Sequence, residues 1–202
     1  MRKRLILATR NAGKIREFKR LLDSLEVDLV GLDETGVSEE VEETGSTFEE
    51  NARLKAQRYS ELSGEVVIAD DSGLEVDVLD GRPGVQSARY GGPSLNDEDR
   101  VKKLLGELED VRGWKRTARF RAVLALAGPG VPGGVIVEEG AVEGAIAHQP
   151  IGENGFGYDP VFWLASHAKT TAELSGEAKD AVSHRGRAMR KMLPHIKNWA
   201  NG

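Results

Sequence analysis

Two short apolar runs, Arg4-Leu-Ile-Leu-Ala8 and Glu65-Val-Val-Ile-Ala69, have the length and composition of strands buried inside a sheet. Leu74-Glu-Val-Asp-Val78 and Phe120-Arg-Ala-Val-Leu-Ala-Leu126 predict further strands with two different faces. Val135 and Val137 continue the strand content beyond a Gly/Pro turn. Four stretches follow a helical period instead. Ile15, Phe18, Leu21 and Leu22 line one face. Thr47-Phe-Glu-Glu50 reads as a capping box, and Phe48, Ala52, Ala56, Tyr59 and Leu62 follow at steps of three and four. Val101, Leu104, Leu105 and Leu108 form a third stripe. Met189, Met192, Leu193, Ile196 and Trp199 form the last, with a bend expected at Pro194. The predicted order is strand–helix–strand–helix–strand, then several strands and a terminal helix. This is an α/β protein with a mixed sheet, because strands near Ser72 and between 119 and 146 are too closely joined for crossovers. Residues 1–202 read as one domain, or two small lobes sharing a core, with no linker long enough to separate independent domains.

A chain of 202 residues buries roughly 70% of its unfolded surface, so it folds without covalent staples. There is no cysteine, which excludes disulfides, thiolate zinc sites and a thiol nucleophile. The first apolar run, Leu5 to Ala8, is too short for a signal sequence or a membrane span, so a cytoplasmic location without a membrane partner is expected. The net charge of −5 argues against a polymeric nucleic acid partner. That charge is unevenly spread. Asp33, Glu34, Glu39, Glu40, Glu42, Glu43, Glu49 and Glu50 lie in one stretch without Lys or Arg, and taking these eight charges from −5 leaves +3 elsewhere. Most of that acid is expected to be solvated loop.

Thr9-Arg10-Asn11-Ala12-Gly13-Lys14 falls where the first strand gives way to the first helix. A helix N-terminus offers free N–H groups and partial positive charge, and Lys14 adds a full one, so the segment suits a phosphate. It is not a Walker A loop, since Ala8 and Ile15 occupy positions that pattern reserves for Gly and Ser/Thr. An ordinary strand–helix turn fits it equally. Asp70 and Asp71 close an apolar strand before Ser72-Gly73. Adjacent carboxylates there must be solvated, paired or metal-bound, and alternation turns only one of them toward a ligand. The plain alternative is a turn-forming Asp-Ser-Gly. One glutamate of the 39–43 run can complete an oxygen site for Mg²⁺ with Asp70 or Asp71.

Gly155-Phe-Gly-Tyr-Asp-Pro160 sets aromatic rings beside a carboxylate on a glycine-flexed backbone. Its spacing is not that of a dinucleotide-binding loop. Phe156 can stack on a base, and Asp159 can accept from a ring N–H. Within Lys179–Arg187, Ser183 reads as an N-cap that puts His184 and Arg185 in a first helical turn, where positive charge is unfavourable. Such a local mismatch marks a functional candidate. Arg185 can donate to an exocyclic carbonyl. His148, His167 and His195 lack metal-type spacing, and no G-x-S-x-G elbow is present. A phosphate cradle, lysines, acidic metal ligands, a stacking ring and a His-Arg pair together describe a purine nucleoside triphosphate with Mg²⁺.

The sequence resembles the inosine triphosphate pyrophosphatase family. The stretches that carry this are Thr9–Glu17, Glu42–Ala52 with Lys55, Ala69–Leu74, Gly84–Tyr90, Gly155–Pro160, Thr171–Leu174 and Lys179 through Ser183–Gly186, which span nearly the whole chain in order. The resemblance implies an elongated α/β fold with two lobes around a nucleotide cleft, a homodimer, and Mg²⁺-dependent hydrolysis of ITP, dITP and XTP. Carried over, Thr9 to Lys14 hold the triphosphate with Lys55 close by. Asp71 is general base and metal ligand, Glu43 a second ligand, and Asp70 a supporting carboxylate. Ser72, Phe156, Gly157, Tyr158, Asp159, Lys179, His184 and Arg185 contact the nucleotide. Trp163–Lys169 departs from the family, many members having Pro and Gly there. Two other classes share the residues: a pyrophosphatase for modified pyrimidine nucleotides, and a non-catalytic nucleotide sensor, against which Asp71 and Glu43 both speak.

Overall fold

A computed structural model describes residues 2–202. The chain orders as β1 (Lys3–Leu7), α1 (Ala12–Leu21), β2 (Val27–Gly31), α2 (Phe48–Ser63), β3 (Val66–Val76), α3 (Asp97–Glu107), β4 (Thr117–Ala127), β5 (Val135–Ile146), β6 (Phe162–Leu164), β7 (Lys169–Thr170), α4 (Gly176–Val182) and α5 (His184–Asn201), with short 3-10 turns between. Seven strands form one sheet in the order β2-β1-β3-β4-β5-β6-β7. β1 pairs parallel with β2 and β3, whereas β5–β6 and β6–β7 are antiparallel, so the sheet is mixed. β2 fills the strand position expected between the first two helices. α4 carries no apolar stripe of its own that could announce it.

The expected turn at Asp70–Gly73 is absent. β3 runs unbroken through Asp-Asp-Ser-Gly for eleven residues, joining the two strands read separately on either side. The carboxylates that argued for a strand end are instead paired with cations where they stand, as described below. α5 likewise continues through Pro194. The Trp163–Lys169 segment is a hairpin of β6 and β7, with Ala168 left-handed at φ 49° in its turn.

The chain divides into two compact units, 1–71 with 122–140 and 185–202, and 72–121 with 141–184. In the first, Leu5 and Leu7 of β1, Val66 and Ile68 of β3 and Leu124 and Leu126 of β4 pack with Phe18 of α1 and Met189, Met192 and Ile196 of α5. In the second, Leu74, Val76, Phe120, Val142 and Phe162 pack with Val101 and Leu104 of α3. α2 begins as the sequence predicts: Thr47 Oγ1 accepts from the Glu50 N–H, and Glu50 accepts from the N–H groups of Ser46 and Thr47. It ends at Gly64, whose φ of 72° is the left-handed cap that glycine adopts without strain. No helix among the described residues is long and apolar enough to cross a membrane.

Candidate functional site

In the first unit, β1 delivers the chain to α1 through Thr9–Asn11. Asn11 caps α1 by accepting from the Lys14 N–H at 3.0 Å, and Thr9 Oγ1 accepts from the Asn11 N–H at 3.2 Å. The Lys14 ammonium reaches β3, 2.8 Å from Asp70 Oδ2 and 3.3 Å from the Asp70 carbonyl. Burial lowers its pKa against the pull of Asp70, and the nearby charges of Lys55 and Arg185 lower it further. A lysine crowded by cations beside an open helix N-terminus gains from an arriving anion.

Lys55 projects from the buried face of α2. Its Nζ lies 2.6 Å from Glu43 Oε1, 3.2 Å from Asp71 Oδ1 and 2.9 Å from the Asp70 carbonyl. One ammonium thus draws the acidic segment and β3 together. Burial disfavours its charge, but Asp71 and Glu43 outweigh that and raise its pKa. Asp71 behaves oppositely. Burial pushes its carboxyl above the ordinary carboxylate value, Lys55 and Lys14 offset only part, and Glu43 and Asp70 add to the rise. Its Oδ2 is buried and has no hydrogen-bond partner among the described residues. A buried, unpartnered carboxylate oxygen is costly unless a proton or a cation meets it.

Asp70 extends the inward row of Val66 and Ile68, and alternation sets Asp71 on the other side. The Arg185 guanidinium, from the first turn of α5, donates through Nε and Nη2 to Asp70 Oδ2 at 3.3 and 3.1 Å and through Nη1 to Glu17 of α1. Burial alone would raise the Asp70 pKa, yet Arg185 and Lys14 hold it well below the usual range. The unfavourable sign of Arg185 at a helix N-terminus is therefore offset by two buried carboxylates. Hard oxygen donors at Glu43 and Asp71, with Asp71 Oδ2 unpartnered, fit a divalent cation such as Mg²⁺ that takes its remaining ligands from water and phosphate. Among the described residues no three His, Asp or Glu side chains by themselves form a metal cage.

In the second unit, Asp159 is the hub of the 155–159 loop. Its Oδ2 accepts from the Phe156 N–H at 2.8 Å and from Lys179 Nζ, and its Oδ1 accepts from Thr171 Oγ1 at 2.9 Å. The Lys179 ammonium sits 4.9 Å from the centre of the Phe156 ring. Gly157 N–H donates to Asp97 of α3, and Tyr158 Oη donates to the Ser87 carbonyl. His184 stacks on Phe120 with centroids 4.7 Å apart. At Gly155 the φ is +80° and a Cβ would lie 2.1 Å from Asp159 Oδ2. Gly155→Ala is accordingly expected to lose more than the roughly 1–2 kcal/mol of a left-handed non-glycine residue, read as a lower denaturant midpoint.

The model of the Ham1 family matches residues 5–195. The chain belongs to the Ham1 family. A Bacillus anthracis protein named dITP/XTP pyrophosphatase is 48% identical over 200 residues, spanning 99% of each chain. The solved Ham1 proteins of Staphylococcus aureus and Coxiella burnetii are 42% and 40% identical. They superpose with TM-scores of 0.85 and 0.87, each over 97% of this chain and 99% of the other. The resemblance read from the motifs, and the α/β fold with it, is borne out.

Against that Ham1 frame, the residues singled out in the sequence fall into two groups. The first unit brings together Lys14, Glu43, Lys55, Asp70, Asp71 and Arg185, with Thr9, Asn11, Ala12 and Gly13 shaping the entry to α1. Arg10 turns away to Asp33 and the Val37 carbonyl. The second unit gathers Phe156, Gly157, Tyr158, Asp159 and Lys179, with half-buried Ser72 on β3 and His184 on Phe120. Glu17 and Thr171 lie in stretches that carried the resemblance but were given no role, and Asp97 was given none either. Glu17 carried a signal, a carboxylate beside Phe18 on the apolar stripe of α1.

Proposed function

We propose that this protein hydrolyses non-standard purine nucleoside triphosphates, XTP, ITP and dITP, to the nucleoside monophosphate and pyrophosphate, with Mg²⁺ as cofactor. The observation that carries this is Asp71, whose raised pKa and unpartnered Oδ2 suit it to accept a proton. Relatives named dITP/XTP pyrophosphatase support the substrate class. Asp71 takes a proton from water as the water oxygen bonds to the α-phosphorus, the bond to the bridging oxygen breaks, and pyrophosphate leaves. Lys14, Lys55 and the N–H groups at the start of α1 hold the phosphates. Glu43 and Asp71 would hold the Mg²⁺, which when bound supplies charge neutralisation at the phosphate oxygens.

Phe156, Tyr158 and the Asp159–Lys179 pair are assigned to the purine, with Ser72, His184 and Arg185 as further nucleotide contacts. Donors aimed at a 6-oxo acceptor reject adenine, whose 6-amino group leaves them unpaired, by about 10⁴-fold. Likeness to the family supports a homodimer.

Pyrophosphate release measured across ITP, XTP, dITP, GTP, ATP, TTP and UTP with Mg²⁺ tests the assignment. XTP, ITP and dITP are expected to lead, with ATP slower by about four orders of magnitude. Faster turnover of the pyrimidine nucleotides would overturn the substrate class. Release from none of them would favour a nucleotide sensor.

A further inference from the structure

We infer that Thr171 is a positioning residue for purine recognition, acting through Asp159 on Lys179 and Phe156; this rests on the function proposed above. Thr171 is buried, and its Oγ1 lies 2.9 Å from Asp159 Oδ1 and 3.1 Å from the Asp159 carbonyl. It is the donor to Asp159 Oδ1 among the described residues, since Phe156 N–H and Lys179 Nζ both address Oδ2. Its own backbone is fixed. Thr170 N–H donates to Glu173 Oε2 at 2.7 Å in a capping box, Thr170 Oγ1 donates to the Ile151 carbonyl at 2.7 Å, and Asn154 bonds to the Ala172 and Leu174 carbonyls at 3.0 Å.

The hydroxyl therefore fixes the rotation of a carboxylate that has little freedom of its own. Turning Asp159 would move Oδ2, and with it the Phe156 N–H and the ammonium beneath the Phe156 ring. Removing the donor leaves Oδ1 buried and unsatisfied, and such an oxygen reorients to recover a partner. The stacking ring and the ammonium then shift together, while the phosphate-holding residues of the first unit are untouched. Purine affinity falls and phosphate affinity does not.

Thr171→Val keeps the shape and removes the donor, Thr171→Ser keeps the donor, and Thr171→Ala removes the donor without the second methyl. In the full chain, the KM for XTP and the inhibition constant for inosine monophosphate are expected to rise about tenfold in Thr171→Val, or about 1.4 kcal/mol. Inhibition by pyrophosphate and kcat should stay within about twofold, and Thr171→Ser should return to the parent values. A thermal melt verifies folding, and Thr171→Ala gives the same ratio of inhibition constants if Val is poorly accommodated. If monophosphate and pyrophosphate inhibition weaken together, or neither changes in an active enzyme, Thr171 has no positioning role. A parent protein that hydrolyses no purine triphosphate overturns the proposed function and this inference with it.

Discussion

Asp71→Asn is expected to abolish pyrophosphate release while leaving nucleotide binding measurable. An amide matches the carboxylate in size and keeps an oxygen 3.2 Å from Lys55 Nζ, so the site remains assembled. It has no basicity, and a positioned general base contributes about 10²–10⁴ in rate. The loss should exceed that range, because Asp71 is also assigned to the metal. Raised Asp71 basicity has a second consequence. In the metal-free protein the Asp71 carboxyl should titrate above the ordinary aspartate value of about 3.9, read from its carboxyl carbon chemical shift. Near-parental turnover in Asp71→Asn, with XTP binding intact, would remove Asp71 from its role; a metal-free carboxyl that titrates at the ordinary aspartate value would show that burial does not raise it.

Arg185→Met is expected to destabilise the first unit strongly. The guanidinium is 2% exposed and serves Asp70 and Glu17, themselves 1% and 4% exposed. Removing one partner of a buried ion pair costs about 3–5 kcal/mol, a fall in Tm on the order of 10 °C for a chain of this size. The sign of its pH dependence follows from Asp70. A carboxyl held below its unfolded pKa contributes stability that is present above that value and lost as pH falls through the folded one. The parent loses this contribution on acidification. In the variant, protonation instead relieves an uncompensated charge, so the gap in Tm should narrow toward pH of about 4. Melts of both proteins at neutral and acidic pH check this, and an equal gap at both would show that the loss is packing alone.

Every helix except α4, and most strands, were legible because each buries a face at its own period: Phe48, Ala52, Ala56 and Tyr59 on α2, Val66 and Ile68 on β3. β3 was misjudged at Asp70 for a physical reason. A carboxylate inside a strand is costly in isolation, and the cations that offset it, Lys14 and Arg185, come from helices 56 and 115 residues away in sequence. The same distance hid Glu17, whose partner lies 168 residues on. Lys55 was visible as a lone lysine on a helix, but its grip on Glu43 and Asp71 required the fold. Thr171 was visible only as part of the Thr171–Leu174 stretch and Asp97 not as a site residue, because a hydroxyl or carboxylate that serves a distant loop looks like any other polar residue.

The adjacency of Asp70 and Asp71 makes strand register a chemical variable. One peptide bond separates a carboxylate whose charge is held by Arg185 and Lys14 from one disposed to exchange a proton, and alternation is what assigns them. β1 fixes that assignment two residues upstream, where Leu7 faces Ile68. A slip of one position would turn each carboxylate to the opposite face, so that Asp70 would leave Lys14 and Arg185 and Asp71 would leave Lys55 without altering a single side chain. Insertions or deletions between Val66 and Ala69 would thus silence the protein while every residue of the site remained in the sequence.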